Sequence, residues 1–316
     1  VLFRSNSHAT WPSRPALMLW ESTLCSFLIE RPRIRLAYGR TDVQAARLRL
    51  TADVVLGRLQ VSNLIWSELD DRVVKMTRAL AADAVQKVGN GHPGTAMALA
   101  PCAYLIFQKH LRHNPNNPEW AGRDRFVLSI GHSSLTLYLQ LFLSGYPLSL
   151  EDLKQFRTAG SLTPGHPEYG HTAGVETTTG PLGQGIANAV GLAMAQKHAA
   201  ATVAAGQYSD LFDSKVYVLA GDGCLQEGVS AEASSLAGHL ELNNLVLIYD
   251  DNKISIDGAT DLSFTEDVAG RYEAYGWNVI KVSKLASGDI DLAGLNAALE
   301  VAKSSATKPT LIQMES

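Results

Sequence analysis

The chain has 316 residues, 46% of them apolar, and a formal net charge of −4, which suits one large globular domain with appendages. The slight negative charge leaves no electrostatic footprint for nucleic acid, and no apolar run reaches the length needed to span a bilayer. Three scattered cysteines (Cys25, Cys102, Cys224), odd in number and without CxxC spacing, argue against a disulfide framework or zinc site and fit a reducing, cytoplasmic setting.

Residues 1–62 differ from the rest. The first 60 carry nine Arg, four acidic residues and no Lys. An Arg-rich, acid-poor leader suggests an organellar transit peptide. The reading favoured here is an Arg-rich N-terminal extension, disordered or foreign to the native protein.

From residue 63 onward periodic amphipathic segments begin. Ser67 caps a helix expected over 68–88, stopped by Gly89. A second helix is expected over 95–110, followed by the turn-rich 114–118. Residues 125–129 read as a strand ending at Gly131-His132, with helices following over 133–143 and, after the Ser149 cap, over 151–156. Residues 158–182 are loop-like, rich in Gly, Thr, Pro and His. A small-residue helix is expected over 183–198, further strands over 277–282 and 309–314, and a helix over 289–303 between them. Alternating helices and apolar strands predict an α/β fold, a doubly wound, mainly parallel sheet flanked by helices.

The segment 215–257 carries the most chemistry. An apolar strand over 216–220 ends at Gly221-Asp222-Gly223, where two glycines let the backbone turn sharply beside a ligand. A helix over about 229–242 and a strand over 245–249 follow, then Asn252 in the next loop. Such a crossover brings both strand ends to one rim of the sheet, where ligands of open α/β folds bind. Magnesium shares oxygen donors with substrate phosphates. Asp222, the amide oxygen of Asn252 and a main-chain carbonyl near Ile254 would offer such donors, and the helix opening after Gly223 adds free N–H groups. The plainer alternative is a turn at Gly221–Gly223 and a helix cap at Asn252. Neither a Walker P-loop nor a GxGxxG fingerprint is present.

Five of the nine histidines follow a glycine directly: His92, His132, His166, His171 and His239. Random placement would give fewer than one such pair, and imidazoles in open loops suit proton transfer at neutral pH. His92, His132 and His166 lie in loops at expected element ends and are the stronger candidates; His171 and His239 read as structural. Gly180-Pro181-Leu182-Gly183 opens a helix of small residues. It serves either close packing or main-chain contact with a flat ring, with Leu182 as an apolar wall.

Together these motifs resemble those of the thiamine-diphosphate-dependent transketolases. The matching pieces are Gly91-His92-Pro93-Gly94, Ser129-Ile130-Gly131-His132, Thr163-Pro164-Gly165-His166-Pro167-Glu168, the run from Gly174 to Gly185, and Gly221-Asp222-Gly223 with Asn252. The His166 and Gly180 motifs separate the chain from deoxyxylulose-phosphate synthase and pyruvate-decarboxylating enzymes, and dihydroxyacetone synthase is harder to separate. Two positions depart from the pattern. Leu162 stands where a basic residue is usual, and Ile130 where Asn or Ala is common.

The resemblance implies the thiamine-diphosphate-binding fold over 63–316 and ketol transfer between sugar phosphates. Asp222, Asn252 and the Ile254 carbonyl would hold Mg²⁺ or Ca²⁺. Gly223 and His132 would touch the diphosphate, Gly180 and Leu182 the aminopyrimidine, and Ile256 the thiazolium. His92 and His166 would face the reacting sugar. Glu227 and Glu232 match acids of a homodimer interface. The later domains, which supply the activating glutamate and the grip on the sugar phosphate, are expected to be absent. The chain would then be a truncated enzyme, the first subunit of a split one working with a complementary C-terminal half, or a non-catalytic cofactor-binding module.

Overall fold

The computed structural model describes residues 64–203, 209–256 and 258–316. The reading of residues 1–62 as an extension lies outside them.

Helix α1, Glu68–Val88, starts at a reciprocal capping box: Ser67 Oγ accepts from Asp70 N–H, and Asp70 Oδ2 accepts from Ser67 N–H at 2.7 Å. It stops at Gly89 in the left-handed region (φ 75°), which a residue without Cβ adopts freely. Both ends match the sequence expectation.

The helix expected over 95–110 is instead broken into α2 (Pro93–Ala98), α3 (Ala100–Leu105) and a π-turn (Ile106–His110). Pro101 causes the first break. It has no N–H for the carbonyl four residues back, and that carbonyl, Met97 O, instead accepts from Arg78 Nε at 3.1 Å. α1 is thereby tied to the break.

The sheet is built from β1 (Arg125–Leu128), β2 (Val216–Gly221), β3 (Leu245–Asp251), β6 (Asn278–Val282) and β7 (Thr310–Glu315). The strands lie in the order β1-β2-β3-β7-β6, every pairing parallel. Every residue of β2 and β3 is buried, as a sheet covered on both faces requires. The helices are α4 (Ser134–Leu143), α5 (Leu150–Lys154), α6 (Gln184–Thr202), α7 (Asp222–Gln226), α8 (Gly228–His239), α9 (Val268–Ala274) and α10 (Leu292–Lys303). Between β3 and α9 lies a two-stranded antiparallel hairpin, β4 (Ile254–Ser255) with β5 (Gly258–Ala259).

The crossover after β2 also departs from expectation. Helix begins at once at Asp222 and breaks at Glu227, an extended residue (ψ 134°), before α8 resumes. No sequence signal marked α9 or the hairpin. Among the described residues no helix is long and apolar enough to cross a membrane.

Because β1, β2 and β3 are parallel neighbours, their carboxyl ends share one rim. Ser129–His132, Gly221–Gly223 and Asp251–Asn252 therefore emerge side by side, with Gly221 registered against Asp250.

Candidate active site

Close glycine contacts lock the rim loops together. A Cβ on Gly131 would lie 2.8 Å from Gly180 N and Thr179 Oγ1, and one on Gly185 would lie 2.5 Å from Ser129 Cα. The loop after β1 is thus pressed onto the start of α6, with no room for a side chain between them. A Cβ on Gly223 would come within 2.8 Å of Leu182 Cδ1, so Leu182 walls the turn at the head of α7. Ser129 Oγ donates to Cys224 Sγ at 3.2 Å across the same seam.

Three histidines gather over this seam. The His92 and His132 rings meet edge-to-face with centroids 4.9 Å apart. His166 sits against Gly180, where a Cβ would be 3.5 Å from the imidazole. Burial pushes the His132 imidazole down to about 4, with His92 and His166 adding to the effect. Burial, then the Arg157 guanidinium and His92, hold His166 below its ordinary value. His132 is therefore a neutral imidazole near pH 7, able to offer one N–H and one lone pair. His171 and His239 lie elsewhere, both exposed; His171 Nε2 bonds Ser161 O at 2.7 Å.

The acidic part of the site lies at the ends of β2 and β3. Asp222 is 3% exposed. Its Oδ1 accepts from Tyr249 Oη at 2.6 Å, and its Oδ2 is buried with no partner. Burial raises its pKa; the Tyr249 bond and Lys253 oppose that, and Asp251 adds to it. Tyr249 Oη also donates to Asp251 Oδ1 at 3.0 Å, and Gln313 Nε2 to Asp251 Oδ2 at 2.6 Å. Asn252 Nδ2 donates to Asp250 Oδ2, and Asn252 Oδ1 accepts from Ile254 N–H, both at 2.9 Å. Lys253 between them takes a left-handed backbone (φ 59°), which turns the chain back over α7.

An unpaired carboxylate oxygen this deeply buried is costly unless a cation answers it. The donor set of one carboxylate, one amide oxygen that keeps a second lone pair, and one carbonyl is all oxygen, as Mg²⁺ and Ca²⁺ require. The residues fit a hard divalent ion. Among the described residues no three His, Cys, Asp or Glu side chains cluster as metal ligands, and the predicted set, with a single carboxylate, does not need such a cluster.

The remaining predicted residues are less enclosed. Ile254 in β4 and Ile256 in the turn after it are exposed, Ile256 at 91%. Glu227 lies at the break between α7 and α8, its Cβ facing Gly183, and Glu232 is on the exposed face of α8. Sequence reasoning missed Tyr249, Thr179 (2% exposed, its hydroxyl without a partner) and the bidentate pair of Arg123 with Glu176 at 2.8 and 2.9 Å. The pair anchors the stretch leading to Gly180 beside the start of β1. Only the run of Thr177 to Thr179 beside Gly180 hinted at any of these.

Residues 69–316 match the family model described as transketolase, thiamine diphosphate binding domain. The chain is 57% identical over 249 residues to Transketolase 1 of Saccharomyces cerevisiae, covering 79% of this chain and 36% of the relative. It is 53% identical over 251 residues to a transketolase of Mycobacterium leprae, covering 79% of this chain and 35% of that protein. Among solved structures, the transketolase of Pichia stipitis in complex with sedoheptulose-7-phosphate superposes with a TM-score of 0.74 at 51% identity, over 79% of this chain and 36% of that one. The transketolase from Leishmania mexicana gives 0.75 at 50% identity, over 79% and 37%. The chain thus spans about a third of the length of these relatives.

Proposed function

The chain belongs to the transketolase family, carrying its thiamine diphosphate-binding domain, and from that premise we propose that it is the metal- and diphosphate-binding part of an enzyme that moves a two-carbon ketol unit from a ketose phosphate to an aldose phosphate. The observation that carries this reading is the buried, unpartnered Asp222 Oδ2 beside Gly223.

When bound, thiamine diphosphate supplies the carbon nucleophile that takes up and releases the two-carbon unit. The residues of this chain bind and orient. Asp222, Asn252 Oδ1 and Ile254 O would hold Mg²⁺ or Ca²⁺, whose charge would offset that of the diphosphate. The N–H groups at the head of α7, including that of Gly223, and the His132 imidazole donate to the diphosphate oxygens. The main chain at Gly180 and the Leu182 side chain border the aminopyrimidine, and Ile256 borders the thiazolium. His92 and His166 face the sugar, donating to its hydroxyl and carbonyl oxygens and carrying protons at their ring nitrogens. His166 is held below its ordinary pKa, so near neutral pH it favours the neutral imidazole, which has a lone pair free to accept a proton.

Exposed Val229 and Leu236 on α8, with Leu240 at its end and Glu227 and Glu232 nearby, suit contact with a second subunit in a homodimer. The activating glutamate and the grip on the sugar phosphate would come from a complementary C-terminal half. The free, buried thiols Cys102 and Cys224 suit a reducing cytoplasm.

Joining the full chain at Ser316 to the remaining length of the Saccharomyces cerevisiae relative tests the reading. Ketol transfer from xylulose 5-phosphate by the joined protein, and none by the 316-residue chain alone, is the expected result. Metal-dependent cofactor binding without any transfer would favour a non-catalytic cofactor-binding module. Transfer on mixing separate halves would favour a split enzyme.

A further inference from the structure

Two hydroxyls on α4 hold the loop that carries His166. Tyr138 Oη donates to Pro164 O at 3.0 Å and to His166 O at 3.2 Å. Ser134 Oγ, one turn earlier, donates to Gly165 O at 3.0 Å with Pro164 O at 3.4 Å. Residues four apart share a helix face, so three consecutive carbonyls dock onto one stripe of α4. No backbone N–H among the described residues donates to these carbonyls.

Both side chains are fully buried. Burial, with Glu168 adding to it, raises the Tyr138 phenol far above neutral pH, which keeps it a protonated donor. α4 starts directly after the turn that contains His132. One rigid element therefore fixes His132 at its head and the His166 loop along its side, although the two histidines are far apart in the chain.

We propose that Ser134 and Tyr138 are positioning residues for the reaction: they set the His166 imidazole against Gly180, His132 and His92, so that it meets the sugar in a single orientation. This rests on the assignment of His166 to the substrate-facing wall. The charged and titratable groups around that imidazole are Arg157, His92, His132 and Glu168.

The test uses Tyr138→Phe and Ser134→Ala, which remove the hydroxyls and little else. In the full chain with isotope-labelled histidine, NMR titration follows each imidazole. Loosening the loop releases His166 from burial and from Arg157, so its pKa is expected to rise in both variants. His110, held low by burial and Lys303 against an opposing bond from Asn296, lies in a separate cluster and stays put as the control. Should Tyr138→Phe fold poorly, Ser134→Ala alone carries the measurement.

A second arm measures ketol transfer in the full chain joined to the remaining length of the yeast relative. Tyr138→Phe is expected to lower kcat about ten-fold with KM nearly unchanged, and to add nothing once His166→Ala is present. A wild-type titration of His166 in both variants overturns the proposal, as does a Tyr138→Phe loss that persists in full after His166→Ala. A fully active His166→Ala protein would instead overturn the placing of His166 at the substrate. The titration would then still decide whether the hydroxyls hold the ring.

Discussion

The Tyr249 hydroxyl donates to Asp222 Oδ1 at 2.6 Å, and this bond turns the other carboxylate oxygen, Oδ2, into a buried atom with no protein partner. One oxygen is held and the other is kept free. Under the proposed function, Tyr249 would be the outer residue that orients Asp222 toward a metal, and it reaches Asp222 because β3 pairs with β2 in a register that sets Tyr249 beside Ala220.

Tyr249→Phe should therefore weaken the metal more than the fold. Divalent-ion affinity, titrated with thiamine diphosphate present, is expected to fall about 10- to 100-fold. Unfolding stability should drop by only about 1–2 kcal/mol. Unchanged ion affinity would show that the Asp222 carboxylate needs no such holder.

The acidic cluster also sets a pH dependence in metal-free buffer. Burial, reinforced by the charges of Asp222 and Asp251, pushes the Asp250 carboxyl from 3.8 up to about 6, against bonds from Ser316 and Asn252. A raised folded-state pKa means that the folded chain binds the proton more tightly than the unfolded chain. The contribution is complete below about pH 4 and is lost as pH rises through about 6. Between pH 5 and 7.5 the loss is roughly 1 kcal/mol. His132 runs the other way: its depressed pKa favours the fold above 6.5, and that contribution is lost as pH falls through about 4. Asp250→Asn isolates the first effect. Its melting temperature relative to wild type should rise from pH 5 to pH 7.5, and a constant difference would contradict the assignment.

Arg123 and Glu176 form a buried bidentate pair, with Arg125 Nε 3.2 Å from the same carboxylate. Glu176→Gln leaves the buried Arg123 guanidinium with only the exposed Glu119 carboxylate, 3.8 Å away, and takes from Arg125 its nearest carboxylate. Breaking such a pair costs about 3–5 kcal/mol, which urea unfolding would measure. A loss below about 1 kcal/mol would mean that the stretch before Gly180 is held by other contacts, such as Asn188 Nδ2 to Thr177 Oγ1.

Much of this was legible in the sequence because it is local. Ser67 and Gly89 mark the ends of α1 by chemistry within a few residues of each. The apolar runs 216–220 and 245–249 give buried parallel strands, and the Gly-His pairs at His92, His132 and His166 mark loops or turns, whereas Gly238-His239 closes α8. What stayed hidden depends on partners far along the chain. Pro101 breaks the expected 95–110 helix, and the break is stabilised by Arg78 from α1. Tyr249 reads as one more apolar strand residue until strand register brings it to Asp222. Tyr138 looks like helix core until the 164–166 loop folds onto it.

Under the proposed function, Asp222 and Asn252 would hold a divalent ion beneath the cofactor's diphosphate. The most direct test is Mn²⁺ binding, followed by electron paramagnetic resonance with thiamine diphosphate present, in the full chain joined to the remaining length of the yeast relative. Asp222→Asn and Asn252→Ala should each bind Mn²⁺ about a hundred-fold more weakly than wild type. Wild-type affinity in both variants would mean that neither side chain holds the ion.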